Sequence, residues 1–246
     1  MALVLNPPVQ GRILLHSCCA PCSGAVLECM VQNGLRPTVF FSNSNIVPRE
    51  EYELRKYELR RYCDFLGVEA VDDEYDHDAW LSAVRGLENS PERGPRCTEC
   101  FRFRLLRAAR YAARNGFAVL TTTLASSRWK NLDQVNAAGE CACAGQAGGP
   151  VFWPMNWRKG GLQPRRSEII REQNFYNQTW CGCEFSRRVS ETEPHSGGKQ
   201  ALGADIHFQE TPDAPSSEIR ADRRQTGAGS RADGAFRVDL EHYAEG

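Results

Sequence analysis

Arg12-Ile13-Leu14-Leu15-His16-Ser17-Cys18-Cys19-Ala20-Pro21-Cys22-Ser23 is the stretch on which the fold turns. Its first half is a short apolar run of the kind that forms a strand buried on both faces. Its second half opens a helix, with Ser23 as the expected cap, running to about Gln32 and closed by Gly34. Pro37-Thr38-Val39-Phe40-Phe41 then reads as a second strand. A polar turn from Ser42 to Pro48 leads to a highly charged helix from about Arg49 to Leu66, stopped by Gly67. Val68 to Val71 is the third strand candidate. Strand and helix alternate, which predicts an α/β fold, a Rossmann-like open and mostly parallel sheet flanked by helices, of HUP type. In such a sheet the ligand site lies beyond the carboxyl ends of the strands.

Further along, Asp76 to Val84 reads as helix, Arg85 to Arg96 as a Gly- and Pro-containing loop, and Cys97 to Asn115 as a helix closed by Gly116. Phe101, Leu105, Ala108 and Ala112 share one stripe of that helix, with Arg102, Arg104, Arg107, Arg110 and Arg114 largely outside it. Ala118 to Thr123 is a fourth strand candidate and Pro150 to Trp153 a short extended segment. Helical character returns at Lys130 to Ala138 and Arg166 to Gln173. From about Val189 the composition turns polar, with too few large apolar residues to offset the entropy of ordering. The expected division is a body of residues 1–188 and a disordered polar tail of residues 189–246, within which residues 236–243 form a candidate docking segment.

The chain has 246 residues, 41% hydrophobic and 25% charged, enough for one substantial core and an appendage. Its eleven cysteines are too dilute for a disulfide-stapled miniprotein, and their odd number does not complete a disulfide framework. The first eight residues lack a basic region followed by a long apolar core, and no long apolar window occurs, so the expectation is a soluble, cytoplasmic protein with no membrane partner. In that reducing compartment, clustered thiols point to metal ligation or redox work. A formal net charge of −1 excludes a uniformly basic nucleic-acid binder.

The thiols fall into groups. Cys18, Cys19 and Cys22 occupy the strand-to-helix turn where a phosphate-binding protein would be rich in Gly. A helix N-terminus favours thiolate, which is both metal ligand and nucleophile. Cys97 and Cys100 form a Cys-x-x-Cys pair at a helix start, a pattern that holds zinc, holds a cluster or acts as a dithiol. With 74 residues between Cys22 and Cys97, the arrangement does not suit a zinc ribbon, whose pairs lie about 15–20 residues apart. Cys181-Gly182-Cys183 would close only a small, strained and easily reduced ring, so it reads as a redox-active pair or as two further ligands. Cys29 and Cys63 lie within expected helices and read as packing residues, and Cys141 and Cys143 receive no role.

These groups belong to a longer collinear pattern: His16-x-Cys18-Cys19-Ala20-Pro21-Cys22; Asn43-x-Asn45-Ile46-x-Pro48 with Glu51-Tyr52; Arg96-Cys97-x-x-Cys100-Phe101-x-x-Arg104-Leu105; Thr121-Thr122-Thr123-Leu124 with Ser127 and Lys130; Arg158-Lys159-Gly160-Gly161; and Tyr176-x-Gln178-x-x-Cys181-Gly182-Cys183-x-x-Ser186. From about Arg12 to Arg188 the chain resembles the QueH family of epoxyqueuosine reductases. It departs from the family pattern at Ser44, where Pro is expected between the two asparagines, and at Asn156, where an acidic residue is expected.

The resemblance implies a cobalamin-independent iron-sulfur oxidoreductase that removes the epoxide oxygen from epoxyqueuosine at the wobble position of tRNA, the last step of queuosine biosynthesis. It implies that Cys18, Cys19, Cys97 and Cys100 hold a 4Fe-4S cluster, and that Cys181 with Cys183 is the redox-active dithiol. It also implies a second iron near the cluster, for which Cys22, Cys181, Cys183 or a nearby oxygen ligand are candidates, and an external electron donor. The motif residues Asn43, Asn45, Tyr52, Arg104, Lys130, Arg158, Lys159 and Tyr176 are substrate-binding candidates. For the RNA, the expected surface combines Arg102, Arg104, Arg107 and Arg110 with Arg158, Lys159, Arg165 and Arg166, and the expected stacking residues are Trp153, Trp157 and Tyr176. Two other readings compete. An ATP-dependent tRNA-thiolating enzyme would need a Ser-Gly-Gly-x-Asp-Ser-like phosphate loop where this chain has His16 to Ser23. A zinc-binding module needs only four of the thiols.

Overall fold

A computed structural model of the chain describes residues 3–186. The boundary expected at residue 188, the polar tail and segment 236–243 lie outside the described residues. Five parallel strands, β1 (Ile13–Ser17), β2 (Thr38–Phe41), β3 (Ala70–Asp72), β4 (Val119–Thr122) and β5 (Val151–Phe152), form one sheet in the order β3-β2-β1-β4-β5. The expected open parallel α/β sheet is therefore present. Leu14, Leu15, Val39, Phe40, Val119 and Leu120 are fully buried on it. Each such side chain contributes roughly 1.5–3 kcal/mol of transfer free energy.

Six α-helices among the described residues connect and cover the strands: α1 (Ala20–Gln32), α2 (Arg49–Leu66), α3 (His77–Ala83), α4 (Pro95–Arg114), α5 (Leu132–Ala144) and α6 (Leu162–Glu172). The first crossovers step away from β1 toward β3, whereas the later ones step from β4 toward β5. Right-handed crossovers running in opposite directions set α1 and α2 on one face and α4 and α5 on the other. In agreement, α1 packs on α2 and α6, and α4 packs on α3 and α5. The apolar stripe Phe101, Leu105, Ala108, Ala112 of α4 is buried as expected. Arg104 is not outside it, because its side chain turns into the body.

Boundaries moved where backbone chemistry overrode composition. Helix α1 begins at Ala20, with Cys19 in extended conformation (φ −175°, ψ 162°) as its cap. Pro21 explains the early start, since a residue without an N–H fits the first turn at no cost. Ser23 is consequently inside the helix and donates its hydroxyl to the Cys19 carbonyl at 2.8 Å. Helix α5 reaches Ala144 and takes Cys141 and Cys143 with it.

Helix ends follow one rule. After α1, α2 and α4 the chain turns through Gly34, Gly67 and Gly116 at φ of 73°, 61° and 69°. The next N–H in each case closes back five residues, from Leu35 to Met30, Val68 to Cys63 and Phe117 to Ala112. The left-handed backbone satisfies carbonyls that would otherwise be orphaned.

Candidate thiol centre

Parallel pairing brings the carboxyl ends of β1, β2 and β4 to one edge, with β1 and β4 at the point where the strand order reverses. His16 stands there fully buried. Its Nε2 faces the Ser42 carbonyl at 3.1 Å and its Nδ1 faces the Thr122 hydroxyl at 2.8 Å. A carbonyl only accepts, so Nε2 carries the proton and the Thr122 hydroxyl donates to Nδ1. Burial first, and then the nearby Arg104 charge, lower the His16 pKa to about 3, so the ring is neutral at physiological pH.

Just beyond, the Sγ atoms of Cys18, Cys19 and Cys22 lie within 4.8 Å of one another. The geometry follows from the turn. Cys18 ends the strand, Cys19 is the extended cap, and Cys22 returns one turn into α1. No side chain caps α1, so the free N–H groups of its first turn add to the positive potential of this edge. The Cys18 N–H donates to Thr123 Oγ1 at 3.3 Å, and Gln178 Nε2 donates to Cys19 Sγ at 2.7 Å. Hydrogen bonds from Cys19 and Cys22 hold Cys18 well below the usual thiol range, whereas burial pushes Cys19 up. Three thiols, one favoured as thiolate, form a donor set suited to a thiophilic metal or cluster.

The other two groups meet each other. Cys97, partly buried in the first turn of α4, accepts the Arg93 N–H at 3.3 Å. Burial, followed by the neighbouring Cys100, pushes its pKa up to about 11. Cys100 and Cys183 share a small apolar cluster with Trp80, Val84 and Phe185. Cys181 and Cys183 have their sulfurs 3.6 Å apart, a non-bonded separation, and Ser186 Oγ lies 3.1 Å from Cys181 Sγ. Hydrogen bonding from Cys183, reinforced by the Lys130 charge, keeps Cys181 well below the ordinary thiol range. Cys183 moves in the opposite direction, chiefly through the same hydrogen bond and burial.

Two cations tie these groups together. The Lys130 ammonium acts on Cys18, Cys181 and Cys22, and Arg104 on Cys18 and Cys100. Arg104, only 3% exposed, donates to the Ser42 carbonyl and to Asn43 Oδ1, while Asn43 Nδ2 donates to the Ser17 carbonyl at 2.9 Å. Asn43 and Arg104 thus build the floor of the centre. Asn45 Oδ1 and Gln178 Oε1 are buried acceptors with no hydrogen-bond partner among the described residues.

Other candidates fall elsewhere. Tyr52 is buried between Phe41 and Tyr75, with ring centroids 5.1 and 4.5 Å away. Arg158 donates to the Lys130 carbonyl at 2.8 Å, and Lys159 is exposed beside it. Tyr176 reaches the Cys-Gly-Cys segment indirectly, its hydroxyl donating to Glu51 at 2.9 Å.

The expected RNA surface needs correction. Arg104 is buried, Arg107 is paired with Asp73, and Arg102 with Glu99. Arg165 is held by Glu28, Glu168 and Glu172, while Trp153 and Trp157 are core residues. Cationic spacing along a helix does not reveal which side chains already have carboxylate partners.

Two contributors escaped the motif reading. Arg55 of α2, 3% exposed, pairs with Glu51 at 2.5 Å and donates to the carbonyls of Cys181 at 3.2 Å and Trp180 at 3.4 Å. Ile46 and Arg55 also crowd Gly182, whose φ is +110° and whose carbonyl accepts the Val47 N–H at 3.0 Å. Gln178, quoted within the pattern without a role, touches Cys19. An arginine one turn after Glu51 in a charged helix looks like a solvated pair, which hid its burial.

Comparison with known proteins identifies the family. The family description "Epoxyqueuosine reductase QueH" matches residues 13–189. Epoxyqueuosine reductase QueH of Histophilus somni is 43% identical over 196 residues, 80% of this chain and 80% of the relative. That of Acinetobacter baylyi is 41% identical over 207 residues, 84% of this chain and 94% of the relative. Among solved structures, the U34-tRNA thiolase NcsA of Methanococcus maripaludis, described with its [4Fe-4S] cluster, is 12% identical with a TM-score of 0.42. That alignment covers 75% of this chain and 66% of the thiolase. The chain belongs to the QueH family of epoxyqueuosine reductases, oxidoreductases of tRNA modification.

Proposed function

We propose that the thiol centre removes the epoxide oxygen of epoxyqueuosine in the wobble position of tRNA, leaving the alkene of queuosine and one water. The balance is two electrons and two protons. On closing to a disulfide, the Cys181 thiolate and the Cys183 thiol supply both electrons and one proton, solvent supplies the second proton, and an external reductant in the cytoplasm then reopens the pair. The observation that carries this reading is the meeting of a low-pKa Cys181 and the Cys18-Cys19-Cys22 nest around Lys130.

Cys18, Cys19, Cys97 and Cys100 are the proposed ligands of a 4Fe-4S cluster, and Cys22 of an additional iron. When bound, these groups would supply one-electron transfer and Lewis-acid polarisation. The protein's own residues prepare the place. Lys130 and Arg104 offset accumulated thiolate charge. Neutral His16 fixes the Ser42 carbonyl and Thr122 hydroxyl without adding a third positive charge. Asn45 Oδ1 and Gln178 Oε1 are acceptors for hydroxyl or amine groups of the modified base. Asn43, Arg158, Lys159 and Tyr176 frame this region, whereas Tyr52 contributes by packing.

The test is anaerobic purification with metal and sulfide analysis, followed by Cys181→Ser and Cys183→Ser in the loaded enzyme. Iron and sulfide in equal amounts, with one iron in excess where the second site is filled, are expected. Each serine variant should keep its visible absorption and lose repeated turnover. Continued turnover by either variant refutes the dithiol role, and a colourless zinc protein refutes the cluster.

A further inference from the structure

Of the expected arginines, Arg102, Arg107 and Arg165 are paired with carboxylates and Arg104 is buried, whereas Arg158 stands with a group of cations that have no such partner. Among the described residues, no carboxylate forms an ion pair with Arg93, Arg128, Lys130 or Arg158. These residues gather at one rim of the thiol centre. Arg93 Nε and Nη2 donate to the carbonyls of Trp129 and Arg128 at 3.0 and 3.3 Å. Arg158 reaches the Lys130 carbonyl, its Nε is buried without a hydrogen-bond partner, and burial with the Arg93 charge lowers its pKa. Among the described residues, no carboxylate pairs with the rim's cations. Glu92, in the same loop, offsets part of the charge without pairing.

Trp129 stands in the middle of this rim, 62% exposed, with the Arg128 guanidinium 5.2 Å from its ring centroid. A large aromatic face left in water has no packing role, yet here its backbone is fixed by Arg93 and by Ser127 Oγ, which accepts the Trp129 N–H at 3.3 Å. Arg93 is itself fixed. It adopts φ +64°, its N–H donates to Cys97 Sγ, and its carbonyl accepts Gln134 Nε2 at 2.8 Å. The rim is thereby connected by hydrogen bonds to a proposed cluster ligand. An ordered aromatic among unpaired cations is the recognition chemistry of single-stranded nucleic acid, in which bases stack and phosphates run along the charge.

We propose that this rim, Arg93, Arg128, Trp129 and Arg158, docks the anticodon loop of the tRNA, with Trp129 stacking on a base next to the modified nucleotide while that nucleotide enters the thiol centre. The proposal rests on the epoxyqueuosine-tRNA reading above and assigns its RNA surface.

The test measures binding of a fluorescent anticodon stem-loop to the full-length, cluster-loaded protein across salt concentrations, alongside reduction of the same RNA carrying epoxyqueuosine. Trp129→Ala should weaken binding by roughly 5- to 150-fold, the range of one base stack. Trp129→Phe should restore most of that loss, which loss of a structural side chain would not predict. Arg128→Glu should lower the slope of log affinity against log salt by about one. Tyr57→Ala, removing an exposed aromatic from α2, should change neither quantity. Wild-type affinity and slope in both Trp129→Ala and Arg128→Glu overturn the surface. A wild-type enzyme that binds the RNA through this rim but leaves the epoxide intact overturns the reading of function while the surface stands.

Discussion

At the scale of single residues, charge in this protein divides between side chains that hold the centre together and side chains left for a partner. Arg55 belongs to the first kind. It joins the Glu51 carboxylate, itself nearly buried, to the backbone beside Cys181, and its guanidinium lies 5.5 Å from the Trp180 ring centroid. Arg55→Ala leaves Glu51 without its cation in a poorly solvated place, at a cost of about 3–5 kcal/mol. Arg55→Lys keeps the charge but not the fork that reaches Glu51 and two carbonyls at once. The expected results are a strongly lowered unfolding midpoint for Ala and a smaller drop for Lys. Both should shift the fraction of Cys181-Cys183 disulfide formed in defined glutathione mixtures. A lysine variant with the wild-type redox balance would show that Arg55 stabilises without positioning.

Elements carry the next layer. The Cys-Gly-Cys segment belongs to no helix or strand, and its shape is imposed by neighbours: Val47 from the loop after β2, Ile46 beside it and Arg55 from α2. A Cβ at Gly182 would meet Ile46 Cγ1 at 2.8 Å and Arg55 Nη1 at 3.1 Å, at a φ that side chains rarely adopt. Gly182→Ala should therefore cost roughly 1–3 kcal/mol and separate the two thiols. Purified variant exposed to mild oxidant should form little of the Cys181-Cys183 disulfide by mass spectrometry. Wild-type yield of that disulfide contradicts the account. This segment also shows where sequence reading succeeded and where it stopped. Strands β1 and β2 were legible because buried parallel strands read as uninterrupted apolar runs, and α4 because its stripe keeps helical spacing. The thiol groups were legible because Cys is rare enough for clustering to be informative. The start of α1 was misread because Pro21 looks like a boundary when it is a first-turn residue. The arginine-rich RNA face was misread because burial and pairing of Arg104 and Arg107 depend on residues far away in sequence.

Taken whole, the described body sorts its thiols by depth and by task. Burial alone pushes Cys143 up to about 12, and burial with the Asp64 charge does the same for Cys63, whereas Cys141 lies exposed. A brief alkylation of the loaded protein should label Cys141 and spare Cys63 and Cys143 until the chain unfolds. Chelation of the proposed cluster should then add Cys97, the one proposed ligand that is only partly buried, while leaving Cys63 silent, as peptide mapping would read. Labelling of Cys63 as fast as Cys141 in native protein would contradict its placement. The sign with pH follows from the same burial. In the folded state Cys63 and Cys143 keep their protons above the ordinary thiol value of about 9.0, where the unfolded chain loses them, so stability falls as pH rises from 9 toward about 12. The loss is up to about 1.4 kcal/mol per pH unit for each group, and Cys63→Ala should flatten that alkaline decline in the unfolding midpoint.

Because all five strands run one way, the chemistry gathers at their carboxyl ends, and the turns through Gly34, Gly67 and Gly116 lie at the opposite pole. No atom stands within 4 Å of where a Cβ would project at these three glycines, and their task is finished once each helix has closed. That pole is a natural handle. A surface tether, a fluorophore or an inserted peptide joined there meets open solvent, on the side of the sheet away from the thiol centre and from the rim proposed to receive RNA.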